Sequence, residues 1–299
     1  MLQPQPPGRS SVQLLGDILC GVDGSRHAYE AVRQAASLAG AGGHLTLLAV
    51  SGVRGEGRHR TAALAPLRAR RALDRAEGIA AHAGVSADGE VDEGSPVADI
   101  LLERARAHGL LAIGPPSMSR VAHLLVGGTA TTAAHVLPAS ILVARRAPNG
   151  TPFGERILVA SDALEHSDQL IEFAIDLAQE RNASLILLHV THGEASHHPT
   201  RTARHVERVT SSLGDQAVVR IEPGRAHSLI VSTAAAERCS LIVLASRRVG
   251  GLRALGSVSE RVVHDARCSV LVLRPEDLQG DRPPAAGFGT DPPADEPPI

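Results

Sequence analysis

The chain has 299 residues, a formal net charge of −2 and ordinary apolar (43%) and charged (21%) fractions. That fits about two soluble domains and leaves no strong basic field for nucleic acid or an anionic membrane surface. Aromatic residues are only 1% and Trp is absent, which excludes base-stacking platforms and leaves Val, Ile, Leu and Ala to build the cores.

Residues 1–13 are polar and proline-bearing and are expected to be disordered. They lack the apolar centre of a signal peptide, and no apolar run in the chain approaches the ~20 residues that span a bilayer. The first ordered segment, 14–146, opens with the apolar run Ile18 to Asp23. A helical stretch follows at His27 to Leu38, then a second apolar run at Leu45 to Val50. A long helix is expected at about 60–83 and a weaker strand ending at Glu93-Gly94. A helix at 96–108 and the apolar runs Leu110 to Ile113 and Ile141 to Ala144 complete this half. The Pro- and Gly-bearing stretch 147–154 reads as a linker.

The segment 155–275 then repeats the pattern. Ile157 to Asp162 matches Ile18 to Asp23, and Leu185 to Val190 matches Leu45 to Val50. Helices are expected at Ser167 to Leu177, about 200–213 and 226–238. A strand ends at Pro223-Gly224, and further runs lie at Leu241 to Leu244 and Val270 to Leu273. Residues 276–299, rich in Pro, Gly and Asp, read as a disordered tail. Short β-branched runs alternating with helices give βαβ units and parallel sheets covered on both faces. Each half is therefore expected to be a doubly wound, five-stranded α/β domain.

Cys20, Cys239 and Cys268 are far apart and form no Cys-x-x-Cys pair; Cys20 and Cys268, inside apolar runs, read as buried apolar residues, which fits a reducing, cytoplasmic setting. Lysine is absent, which rules out a Gly-Lys-Ser or Gly-Lys-Thr phosphate loop. There is no Gly-x-Ser-x-Gly elbow and no full Gly-x-Gly-x-x-Gly after the first strand. No catalytic residue stands out. The chain reads as a non-enzyme, or at most a weak ATPase.

The strand ending Val22-Asp23-Gly24-Ser25 resembles the universal stress protein pattern, as does the run Gly256-Ser257-Val258-Ser259-Glu260 leading to a closing apolar strand at Cys268 to Val272. The resemblance covers about 15–146 and 155–274. It implies a tandem pair of such domains. In the nucleotide-binding branch, the loop after the fourth strand reads Gly, two residues, Gly, nine residues, Gly, then Ser or Thr. Glycines there let the backbone approach phosphate, and the next helix offers unpaired N–H groups. A strand-one Asp at the switch point can accept from ribose or adenine.

Carried onto this chain, the resemblance implies an ATP site in the first half at Gly21, Asp23, Val50, Gly114, Ser117, Gly127, Gly128 and Thr129. In the second it implies Ala160, Asp162, Val190, Arg248, Gly256, Ser257, Val258 and Ser259. Both loops depart from the pattern. Pro115 and Pro116 remove N–H donors and Ser117 replaces a glycine. Gly128 stands where a hydroxyl is expected. In the second half, Ala245 and Arg248 replace glycines and the loop is two residues short; Arg248 either pairs with phosphate or blocks the pocket.

Three readings stay open. One is an adenine-nucleotide-binding stress-response module. Another is a nucleotide-free scaffold for an unidentified protein partner, with Asp23 and Asp162 as turn caps. The weakest is a metal-responsive module through His189, His192, His197, His198 and His205, against which stands the reading of solvated loop histidines. The family's usual dimer further implies that Ile141 to Ala144 and Val270 to Leu273 pair inside one chain as a pseudo-dimer, with a further homodimer as an option. Such pairing hides sheet edges.

Overall fold

The computed structural model describes residues 17–52, 64–94, 96–115, 139–164, 167–191, 199–246 and 257–279. The first half contributes β1 (Ile18–Gly21), α1 (Arg26–Ala39), β2 (His44–Ser51), α2 (Pro66–His82), β3 (Ser86–Glu93), α3 (Val97–Ala105), β4 (Leu110–Ile113) and β5 (Ser140–Val143). The second contributes β6 (Arg156–Ser161), α4 (Ser167–Arg181), β7 (Ser184–Thr191), α5 (Pro199–Leu213), β8 (Ala217–Pro223), α6 (Ala226–Ala236), β9 (Leu241–Ala245), α7 (Ser257–Asp265) and β10 (Ser269–Leu273). A short helix, α8 (Pro275–Gln279), closes the described chain.

Strand order is β3-β2-β1-β4-β5-β10-β9-β6-β7-β8 in one ten-stranded sheet. Pairing is parallel within each half and antiparallel only between β5 and β10, where Val143 faces Val270, Leu142 faces Leu271 and Ile141 faces Val272. The expected meeting of the fifth strands inside one chain is therefore present. The central strands are wholly buried, while β3 and β8 alternate in exposure as edge strands do.

The helices form where an apolar stripe recurs at helical spacing. In α1 the stripe is Ala28, Ala31, Val32, Ala35, Ala36 and Leu38; in α2 it is Ala69, Ala72, Leu73, Ala76 and Ala80. These small residues let both helices lie close on the sheet. One apolar layer, under α1, α2, α4 and α5, and a second, under α3, α6 and α7, each run unbroken through residues of both halves.

The seam between the halves has approximate twofold symmetry. Ser269, which opens β10, accepts the Arg145 N–H at 3.0 Å just past the end of β5; Ser140, which opens β5, accepts the Arg274 N–H at 3.1 Å just past the end of β10. A different third partner completes each corner. The buried Gln34 of α1 accepts from Ser269 Oγ at 2.7 Å and donates to the Arg145 carbonyl at 3.0 Å. The buried Asp277 of α8 accepts from Ser140 Oγ at 2.6 Å and from Arg274 Nε at 2.8 Å.

Thus the segment from Glu276, expected to open the tail, begins with a helical turn docked on the seam. The buried Asp277 and the core residue Leu278 anchor that turn, a short signal that the surrounding Pro, Gly and Asp composition hides. The stretch 147–154 is also pinned. Ala147 is buried, Gly150 donates its N–H to the Ala147 carbonyl at 3.1 Å, and Arg181 stacks on Phe153 at 5.2 Å. Arg181 also reaches across the seam to the Ser37 hydroxyl of α1 at 2.8 Å. No helix among the described residues is long and apolar enough to cross a membrane.

Candidate functional site

β1 has β2 on one side and β4 on the other, so its carboxyl end is the switch point of the first half. Val22 extends the strand by donating its N–H to the Leu48 carbonyl at 2.8 Å, and the chain leaves the sheet at Asp23. Asp23 is half-buried, and its Oδ1 accepts the Ser25 N–H at 2.9 Å in an Asx turn. Ser25 Oγ in turn accepts the Ala28 N–H at 3.1 Å and caps α1. Gly24, between them, takes a left-handed φ of 76°, which costs glycine nothing. Asp23 Oδ2 has no partner among the described residues.

Gly114 follows β4. A Cβ there would lie 2.7 Å from His27 Cβ and 3.0 Å from the His27 carbonyl carbon, so only glycine lets the exit of β4 pass against the first turn of α1. Gly21 and Val50, included in the expected nucleotide site, sit differently. A Cβ on Gly21 would meet Ile113 and Leu101 at 3.1 and 3.2 Å, and Val50 is buried in the layer under α3. Both serve packing beneath the crevice. Ser117, Gly127, Gly128, Thr129, Arg248 and Gly256 lie outside the described residues, and the Ser257 side chain is not described. Val258 is exposed and Ser259 buried, in the first turn of α7.

The second switch point, at the end of β6, is built from different chemistry. Asp162 Oδ1 accepts both the Leu164 N–H at 2.9 Å and the Ser167 hydroxyl at 2.8 Å. Ala163 stands where the first half has Gly24, holds a left-handed φ of 56°, and is fixed by Ser161 Oγ and by Arg201, which donates to its carbonyl at 3.1 Å. Ala160 is half-buried and Val190 is buried in the core.

Below this turn lies a buried polar network. Ser161 Oγ is 3.4 Å from His205 Nδ1, and His205 Nε2 is 2.7 Å from Asp168 Oδ1. His189 Nδ1 lies 3.0 Å from the Ser161 carbonyl oxygen, and its Nε2 lies 3.3 Å from Thr202 Oγ1. Aligning the two halves by their buried stripes sets Val22 against Ser161, Tyr29 against Asp168, Ala49 against His189, Ala69 against Thr202 and Ala72 against His205. The first half uses apolar or aromatic residues at each of these places.

His189 and His205 are thus buried on a strand and a helix rather than solvated in a loop, which corrects that expectation. Their clustering in sequence reflects two elements meeting side by side. His192, His197 and His198 lie outside the described residues, and no group of three His, Cys, Asp or Glu among the described residues could hold a metal ion. The order Ser161–His205–Asp168 is that of a hydrolytic relay. However, the Ser161 hydroxyl oxygen accepts the Ala163 N–H at 3.0 Å and the residue is 5% exposed, so the network ties α4 and α5 to β6 and β7. No sequence motif announces it; only the repeat alignment exposes it.

The fold and these two strand ends define a class: a tandem, doubly wound α/β protein with an Asp-bearing turn at each switch point. The model of the universal stress protein family matches residues 15–145 and again 154–274, and the chain belongs to that family. It is similar to the universal stress protein YxiE of Bacillus subtilis (strain 168), at 27% identity over 145 residues, covering 40% of this chain and 98% of that protein. Among solved structures, a universal stress protein of Archaeoglobus fulgidus DSM 4304 matches with a TM-score of 0.64 at 19% identity, over 87% of this chain and 96% of that one. A functionally unknown protein of Pseudomonas aeruginosa PAO1 matches with a TM-score of 0.60 at 20% identity, over 90% and 96%.

Proposed function

We propose that this chain is a stress-response regulatory module that acts by binding an adenine nucleotide, ATP, at the first switch point, with the second half as its scaffold. The observation that carries this reading is the contrast between Asp23 and Asp162. Asp23 accepts a single hydrogen bond, from the Ser25 amide, whereas Asp162 Oδ1 accepts from both a backbone amide and a serine hydroxyl inside its own turn and the residue is engaged further. A carboxylate with an oxygen to spare at a switch point suits a ribose hydroxyl or an adenine amine. The neighbouring Gly24 and the close passage of Gly114 against His27 add no side chains of their own at this strand end. Ser117, Gly127, Gly128 and Thr129 would supply the phosphate contacts. The three buried, unpaired cysteines suit a reducing compartment, and the cytoplasm is the location that goes with this reading.

Titration calorimetry of nucleotide-stripped protein with ATP tests this. The expected result is micromolar binding, about −8 kcal/mol, lost in Asp23→Ala and kept in Asp162→Ala. Loss in Asp162→Ala alone would move the site to the second half. Absence of heat at millimolar ATP would leave the scaffold reading, in which the paired fold presents a surface to a protein partner.

A further inference from the structure

A cavity of about 520 Å³ opens on the second half between α6, α7 and the stretch joining the halves, within the range of small-molecule sites. Ala234, Cys239, Ala266 and Cys268 belong to the helix ends and the turns that lead into β9 and β10. This is the opposite end of the strands from Asp162. The floor is Val231, Ala234, Cys239, Ile242, Ala266 and Cys268, apolar and without a fixed charge. Burial pushes the two thiols up, Cys239 to about 12 and Cys268 to about 11, so both stay neutral at physiological pH.

The rim is polar and its charges do not balance. The one acid is Asp265, and both of its oxygens are taken, Oδ2 by His227 Nε2 at 2.7 Å and Oδ1 by His264 Nδ1 at 2.8 Å. Arg238 and Arg267 also line the mouth, and neither guanidinium has a hydrogen-bond or ion-pair partner among the described residues. Arg238 adds a second signal. It follows the C-cap of α6, where glycine is the usual residue, yet it holds a left-handed φ of 54°. A strained non-glycine side chain kept at a cavity mouth points to a use for that side chain.

We propose that this cavity binds a medium-chain monocarboxylate, its chain of about ten carbons lying on the thiol-lined floor and its carboxylate held by Arg238 and Arg267 at the rim. A planar guanidinium matches a carboxylate in two parallel hydrogen bonds. An uncharged chain would gain only the floor, and a phosphate without a chain only the rim. The site shares no residue with the Asp23 crevice, so it stands or falls independently of the nucleotide reading.

The test is calorimetric titration of the full chain with decanoate and, separately, with decanol. Decanoate is expected to bind saturably at one site, tighter than decanol, and with unchanged affinity in Asp23→Ala. Arg267→Gln should weaken binding roughly tenfold. Arg238→Gly should do the same while raising the melting temperature, because glycine relieves the left-handed strain; a loss of binding there is not a loss of fold. Ser232→Trp, which fills the mouth from an exposed position, should abolish binding. The proposal is overturned if decanoate does not saturate, if decanol binds as tightly, if neither arginine variant changes the affinity, or if Asp23→Ala removes it.

Discussion

Replacing Ser269 by alanine removes one hydroxyl from the seam and orphans two buried groups. The Arg145 N–H loses its acceptor at 3.0 Å, and Gln34 Oε1 loses its donor at 2.7 Å. Ser269 is 0% exposed and Gln34 is 2% exposed, so water has little access to either orphan. An unsatisfied buried group costs about 1–3 kcal/mol; with partial relaxation the two together should lower stability by roughly 3 kcal/mol. Ser140→Ala, at the pseudo-symmetric corner, removes the acceptor of the Arg274 N–H but leaves Asp277 held by Arg274. Its cost should be smaller, roughly 1–2 kcal/mol. Ser37→Ala is the control: its hydroxyl meets Arg181 at an exposed position where the Ser37 carbonyl still accepts at 2.7 Å, so the change should stay within about 0.5 kcal/mol. The assay is urea unfolding of the full chain, read as a shift of midpoint at constant slope. If Ser269→Ala falls in the range of the control, the seam's hydrogen bonds do not hold the halves together as argued.

Gly114→Ala should destabilise by about 1–3 kcal/mol, as overpacking does, since the new methyl meets His27 backbone; an unchanged unfolding midpoint would refute the close approach. Cys239 and Cys268, held protonated by burial, should alkylate far more slowly at pH 8 in the native protein than in urea, which mass spectrometry reads; equally rapid native labelling would contradict the raised thiol values. The His264 and His227 hydrogen bonds hold the Asp265 carboxyl below the usual carboxylate value of about 4. A depressed value stabilises the fold above that pH and is lost as pH falls through the lower folded value; a carbon-13 titration placing Asp265 at or above the free value would disprove it. Proteolysis at 147–154 should leave two fragments that co-elute on a sizing column, because the β5–β10 pairing and both apolar layers remain; separated fragments would count against this.

The repeat and the five strands of each doubly wound half were legible because they rest on period and composition, whereas the meeting of the fifth strands followed only from the family resemblance. Leu45 to Val50 and Leu185 to Val190 are buried parallel strands and read as such. The Asp at each strand end was also legible, but its state was not. Asp23 and Asp162 look alike in sequence, and only the neighbouring Ser167, Leu164 amide and Ala163 turn distinguish them. Helix ends were less legible. The stretch expected at 96–108 ends at Ala105 in a turn, and 226–238 ends at Ala236 because Arg238 turns left-handed. The Ser161–His205–Asp168 network was illegible because its members come from β6, α5 and α4, and no local spacing links them.

Helix α1 connects the features that matter. Its N-terminus is capped in the turn that carries Asp23, its middle supplies Gln34 to the Ser269–Arg145 corner, and its last turn offers Ser37 to Arg181 of α4. A helix of fourteen residues is about 21 Å long and moves as a unit, because its side chains interdigitate with a close-packed layer shared by both halves. A displacement at the Asp23 turn therefore cannot be absorbed within the first half. It must either strain the capping bonds of Ser25 or shift Gln34 against a buried corner where every partner is already engaged. The second half has no matching lever at its own turn: Asp168, which stands where α1 has Tyr29, is anchored to His205, and Arg201 holds the Ala163 carbonyl. The two turns therefore differ in how they are tied to the core: the first through the Ser25 cap and Gln34 of α1, the second through Asp168, His205 and Arg201.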